Sequence, residues 1–296
     1  MSWQASIDSH AVAVRQIITS APSLLEWPAC RQLMLGSAAD TPSWILALPV
    51  VSCLAAGGSQ KDGVQVAAGW LALNHALHLL DAVEDDDFIP DEIIQSTEKA
   101  LNFSTALTFA AYSFFSDLSS PGATARVARI CSECGYKATQ GQHMGFEPGP
   151  TRLEDAVVAY WESTILKSGS LFRLACAGGA AAATDDLQVI EALGDYGTPI
   201  GVILQVLDDC RDMLDAQTGK REVSLPALLY SAAVGQQEIV HPESRSNLQE
   251  AGVPESITGI LATWWQRALD SLKPLKPSDA TDALKNNLQF FQNASE

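Results

Sequence analysis

Apolar positions in this chain recur at helical spacing, and polar clusters fall where helices would start and stop. Residues 64–85 predict a long helix: Val64 to Leu80 is almost all apolar, and charge arrives only at its C-terminal end. A helix this apolar is buried on more than one face. Residues 91–118 predict one or two helices, broken at Ser119-Ser120-Pro121-Gly122. Another is expected over 123–142, ended by the cluster from Gly145 to Pro150. Further helices are predicted over 153–182 and 186–214, then three shorter ones over 222–296, split near 241–243 and 273–278. β-branched runs are short, and no hairpin turn separates alternating strands. The predicted fold is all-α, a single domain over residues 1–296. Its helices form a bundle around a deep apolar cavity.

Residues 41–60 carry no charge and are long enough to raise the question of a membrane span. Pro49 and Gly57-Gly58 interrupt them, so a buried core helix is expected instead, with no membrane span. No basic start followed by an apolar run resembles a leader peptide.

Composition narrows the partners. Apolar residues are 47% of the 296 and charged residues 18%, enough for a sizeable core. Lys plus Arg is 18 against 35 for Asp plus Glu, a net charge of −17. Such a field repels phosphate, so no nucleic-acid partner and no anionic membrane surface is expected. Phosphate could still be held through a divalent metal. Six cysteines are scattered, and the Cys131–Cys134 pair lacks the second pair that a zinc site wants. A reduced, cytoplasmic location is expected.

Two acidic clusters change the picture. In the first, Asp81 and Asp85 are spaced i, i+4, so their carboxylates share a helix face and repel. No basic residue follows until Lys99, and negative charge at a helix C-terminus opposes the macrodipole. A cation would relieve both, and an all-oxygen donor set points to a hard ion such as Mg2+. The second cluster repeats the spacing in Asp208 and Asp212, with Asp215 extending that face. Either cluster could be a solvated helix end, with Arg211 neutralising part of the second. Facing each other across a bundle, four carboxylates would make a rim for Mg2+ and a diphosphate, above an apolar cavity suited to a hydrocarbon tail.

At this point the residues resemble the trans-polyprenyl diphosphate synthase family of the isoprenoid synthase superfamily, from about residue 45 to 235. His75 to Asp85 resembles the helix leading into the family's first Asp-rich motif, and Gly141-Gln142 its GQ helix end. Tyr160 to Ala175, with Lys167-Ser168-Gly169, resembles the segment carrying its phosphate-binding lysine. Gln205 to Asp212 resembles its FQxxDDxxD motif, and Gly219-Lys220 followed by Leu225-Pro226 the stretch after it. The resemblance implies an isoprenoid-synthase-type bundle with Mg2+ as cofactor. It implies Asp81, Asp85, Asp208 and Asp212 as metal ligands, with Glu84 and Asp209 less central, and Lys167, Gln205 and Lys220 on the diphosphate. It implies a small-molecule prenyl diphosphate as substrate. The family commonly forms dimers, so a homodimer is also implied.

The departures set the expected reaction. Ala82 stands at the second position of the first motif, and Leu80 to Asp86 looks more like the first motif of squalene synthases. The family's paired arginines after that motif are replaced by Phe88-Ile89-Pro90-Asp91, and Leu35-Gly36-Ser37-Ala38 stands for its early basic segment. A diphosphate anion needs cationic partners. A second substrate, isopentenyl diphosphate, therefore has no evident seat. The leading expectation is a class I terpene synthase that ionises a fifteen- or twenty-carbon allylic diphosphate, including a precyclised one. It would release diphosphate and give a hydrocarbon or alcohol. The alternatives are a prenyltransferase, by chain elongation or head-to-head coupling, and a non-catalytic subunit of a prenyl diphosphate synthase. His75 and His78, one turn apart, could accept a proton, and Trp264-Trp265 or Phe290-Phe291 could face a carbocation. Helix contacts and core packing account for these residues as well.

Overall fold

A computed structural model describes residues 3–85, 88, 90–146, 149–214, 223–242 and 244–294. Among them there is no strand, only an isolated bridge between Arg152 and Glu238. The predicted all-α class is what the chain adopts. The chain divides into two compact units, and three of the four boundaries fall inside helices. Unit 1 comprises residues 1–132, 174–194 and 272–296, and unit 2 comprises 133–173 and 195–271.

Unit 1 holds α1 (Trp3–Ser20), α2 (Pro22–Leu25), α3 (Pro28–Asp40), α4 (Ser43–Ala55), α5 (Gln60–Glu84) and α6 (Thr97–Ser116). It also holds the first half of α7 (Pro121–Met144). Helix α5 is its centre and packs on α1, α3, α4 and α6. From Asp62 to Leu73 every residue of α5 is buried, which is why its apolar pattern shows no single stripe. The helix starts earlier than its apolar run. Ser59 caps it by accepting from the Asp62 amide, and the Asp62 carboxylate accepts from both the amide and hydroxyl of Ser119. Helix α5 is long and apolar enough to cross a bilayer, but half of that window is buried, as in a core helix. The uncharged stretch 41–60 forms α4, whose Leu46 to Cys53 are buried and which runs through Pro49. It ends at Gly57, whose φ of +85° is the left-handed conformation glycine tolerates. Helix α7 starts where the Ser-Pro break predicts: Pro121 is its first residue, and Ser120 Oγ accepts from the Ala123 amide.

Unit 2 begins within α7 and continues through α8 (Leu153–Thr164) and a π-helical turn (Ile165–Gly169) into α9 (Ser170–Ala183). It also holds most of α10 (Leu187–Leu214), α11 (Leu225–Ala233), α12 (Arg245–Glu250) and α13 (Val253–Ser271). The single helix predicted over 153–182 is therefore interrupted by a π turn. The tail also differs from expectation, with four described helices, α11 to α13 and α14 (Asp279–Ala294), where three are predicted. Gly252, at φ +69°, breaks the middle one.

Candidate active site

The first acidic set sits at the end of α5. Asp81 and Glu84 lie in its last turn and Asp85 is the C-cap, whose amide donates to the Asp81 carbonyl at 2.9 Å. Asp81 and Asp85 are half-buried and Glu84 is exposed. The last turn holds no basic residue, so the dipole opposes all three charges. Just beyond, Asp91 Oδ1 accepts from the Ile93 amide at 2.7 Å and the Ile94 amide at 2.5 Å. That makes a tight turn where the resembling family has arginines. Asp86 and Asp87 lie outside the described residues.

The second set, at the end of α10, is built differently. Asp208 is exposed and pairs with Arg211 at 2.8 Å. Asp212 is exposed. Asp209, expected as an outlying metal ligand, is instead a buried anchor. Its Oδ2 accepts from Tyr160 Oη at 2.7 Å and from the Leu225 amide at 3.1 Å, and its Oδ1 accepts from Gln205 Nε2 at 3.0 Å. Burial, helped by the Asp212 charge, raises its carboxyl pKa, although the three donors pull it down. Three of the roughly four acceptor sites of its carboxylate are thereby taken by protein donors. The Leu225 amide is one of the orphan donors of α11, whose N-cap Ser224 offers no side chain, so Asp209 supplies the missing acceptor.

Lys167 is half-buried on the π turn. Such turns insert one residue into a helix and re-aim the side chains they carry. Two glycines clear space for this one. A methyl on Gly141 of α7 would stand 2.5 Å from the Lys167 amide nitrogen, and one on Gly201 of α10 would fall on the Ser168 carbonyl. This gives Gly141 of the Gly141-Gln142 pair a steric reason. Gln205, expected on the diphosphate, is a bridge here: its Oε1 accepts from Ser168 Oγ at 2.9 Å while its Nε2 serves Asp209. Lys220 and Asp215 lie outside the described residues.

Divalent metal fits these residues to a limited extent. The donors are carboxylates, as a hard cation wants. Among the described residues, however, no three His, Cys, Asp or Glu side chains gather closely enough to hold an ion. Each helix end offers two suitable carboxylates, Asp81 with Asp85 and Asp208 with Asp212. That matches the habit of Mg2+, which takes one or two carboxylates and completes its shell with water and substrate phosphate. A cavity of about 180 Å³ in unit 1 is lined by Trp3, Gln4, Asp8, Ser43, Trp44 and Asn287. It contains none of the expected site residues and is below the usual range of about 300–1,000 Å³ for ligand pockets.

Residues 92–224 match the family model described as polyprenyl synthetase. The match covers somewhat less than half of the chain. The matched region includes Lys167, Gln205, Asp208 to Asp212 and Lys220, and begins downstream of Asp81 and Asp85. No match is found among curated proteins. Among solved structures the chain is similar to a geranylgeranyl pyrophosphate synthetase from the archaeon Geoglobus acetivorans, with TM-score 0.81, 16% identity and 97% of each chain covered. It is similar to a decaprenyl diphosphate synthase from Rhodobacter capsulatus, with TM-score 0.78, 18% identity and 97% and 96% covered. It is also similar to a polyprenyl synthase from Caulobacter crescentus complexed with calcium and isoprenyl diphosphate, with TM-score 0.74, 20% identity and 97% and 94% covered. These likenesses establish the isoprenoid-synthase fold.

Within the matched region, sequence reasoning missed Tyr160 and Ser168 as polar partners of the second motif. Both stood inside the segment singled out by its likeness, but neither carries charge. Outside that region, His75 has a buried Nε2 without a partner, and burial, followed by the His78 charge, lowers its pKa despite Asp40. Trp264 packs on Trp161 at 5.8 Å and under Arg267 at 4.5 Å, and Trp265 is buried. Both tryptophans are in packing contacts. The side chains of Phe290 and Phe291 lie outside the described residues.

Proposed function

We propose that this chain is a prenyltransferase that ionises an allylic prenyl diphosphate with divalent metal. The observation that carries the reading is the polyprenyl synthetase match over 92–224, which spans Lys167 and the second acidic helix end. It moves the weight from the terpene synthase put first by the sequence to the coupling reaction held as its alternative. In this reading Asp81, Asp85, Asp208 and Asp212 hold Mg2+, with Glu84 in an outer role. Lys167 and Lys220 bind the diphosphate. The metal, when bound, neutralises the charge that develops on the leaving group. Lys167 contributes a point charge to the same oxygens. The reading takes residues 1–296 as one domain, a cytoplasmic location and a homodimer as its setting.

A terpene synthase is kept as the second reading by one observation. The segment after the first acidic end is a turn tied by Asp91, with no arginine to seat a second diphosphate. Product analysis separates the two. Purified protein is incubated with Mg2+ and a fifteen- or twenty-carbon allylic diphosphate, with and without isopentenyl diphosphate. A longer diphosphate formed only with isopentenyl diphosphate is the result expected of elongation. A thirty-carbon product from the fifteen-carbon substrate alone indicates head-to-head coupling. A hydrocarbon or alcohol formed from a single substrate molecule overturns the coupling reading in favour of the terpene synthase. No turnover in any mixture overturns both.

A further inference from the structure

The π turn and the second acidic helix end are tied together by side chains that the chemistry above does not use. Tyr160 of α8 donates to Asp209, Gln205 donates to the other oxygen of Asp209, and Ser168 of the π turn donates to Gln205. The bonds run 2.7, 3.0 and 2.9 Å, so each is well formed. Tyr160 and Asp209 are 8% and 9% exposed, so water does not compete for them. Stability alone does not call for this arrangement. Apolar side chains would pack α8 against α10 without desolvating a carboxylate, at equal or better stability. What a carboxylate read by three donors adds is a fixed distance and a fixed rotation.

The neighbours of the tied residues give that fixity a use. Ser168 follows Lys167 directly. Asp209 stands between Asp208 and Asp212 on the same helix end. We propose that Tyr160 and Ser168 are positioning residues: through Gln205 and Asp209 they hold the Lys167 ammonium and the Asp208 and Asp212 carboxylates in one register. A single metal-bound diphosphate can then meet all three. The proposal rests on the prenyl diphosphate reading. In this role they act through Gln205 and Asp209, with no need to touch the reacting atoms. A displacement near 1 Å at a site of this kind costs about 10²-fold in rate, so small slack in the tie is enough to be measured.

The test uses the full chain as wild type, Tyr160→Phe, Ser168→Ala and the double variant. Three quantities are read: binding of inorganic diphosphate in the presence of Mg2+ by calorimetry, kcat and KM for the prenyl substrate, and the thermal midpoint. Each single variant is expected to weaken diphosphate binding by about tenfold and to lower kcat similarly, with KM changed much less. The double variant should lose no more than about twice what a single one loses, because both changes cut one tie. Ser168 is only partly buried, so its variant folds even if Tyr160→Phe does not. Unchanged binding and kcat with only a lower thermal midpoint would overturn the proposal, as would losses that multiply as independent sites. A wild type that binds no diphosphate with Mg2+ overturns the underlying reading and the proposal with it. A wild type that binds, with variants that do not differ from it, overturns the positioning role alone.

Discussion

The ends of α5 and α10 carry the same Asp-x-x-x-Asp spacing in different surroundings. At α5, Asp81, Glu84 and Asp85 stand on the negative pole of the helix with no basic residue in the last turn. At α10, Arg211 pairs with Asp208, and Asp209 is buried under Tyr160, Gln205 and the Leu225 amide. The second end is braced by side chains and an amide from other elements, while the first carries its acids in a last turn without a basic residue. A repeated motif therefore does not mean a repeated role for each of its residues. The middle carboxylate of the second set is buried on three donors, while Asp208 and Asp212 are exposed.

Substitutions at the two ends should separate these roles. The largest effect is expected for Asp81→Asn and Asp208→Asn, each lowering kcat by about 10³-fold in steady-state assays. Retained activity in either would remove that residue from the metal. Asp209→Ala should instead act on stability, costing about 2–4 kcal/mol in urea denaturation, because it leaves two buried donors and the half-buried Gln205 amide without an acceptor. Asp81→Ala should cost clearly less stability than Asp209→Ala, because the helix dipole opposes a negative charge at that end. Equal losses for the two alanine variants would erase the contrast. Gly141→Ala should cost about 1–3 kcal/mol and lower kcat further than its stability loss explains, since the new methyl presses on the π turn at Lys167.

A pH effect belongs to unit 1. Burial lowers the pKa of His10 and His75 below the ordinary 6.5 of the unfolded chain. Between the lowered values and 6.5 the unfolded chain holds more protons, so stability falls as pH drops below 6.5. Denaturation midpoints taken from pH 7.5 to 5 should show that slope, and His75→Leu should flatten it. A small effect is expected for Arg211→Ala. Its pair with Asp208 is exposed, so no more than about 1 kcal/mol of stability should go with it.

Much of the fold is legible along the chain because helix stops are local. The Ser119 to Gly122 break and the uncharged core helix α4 follow from cap residues and apolar runs. The π turn is not legible, since one extra residue of register leaves no mark in the apolar stretch from Tyr160 to Ala175. The start of α5 is misplaced by four residues because Gln60, Lys61 and Asp62 look like a loop and become a first helical turn only under the Ser59 cap. At the site, Asp208 and Arg211 pair as charge and i, i+3 spacing suggest. The role of Asp209 depends on Tyr160, 49 positions away, and on an amide at the start of another helix. No spacing rule reaches that far.

The central claim is that divalent metal drives ionisation of an allylic diphosphate here. Its most direct test is release of inorganic diphosphate from a fifteen- or twenty-carbon allylic substrate with Mg2+, after chelation, and after Mg2+ is restored. Release that stops on chelation and returns with the metal is the predicted result. Release that survives chelation, or no release under any condition, would contradict it.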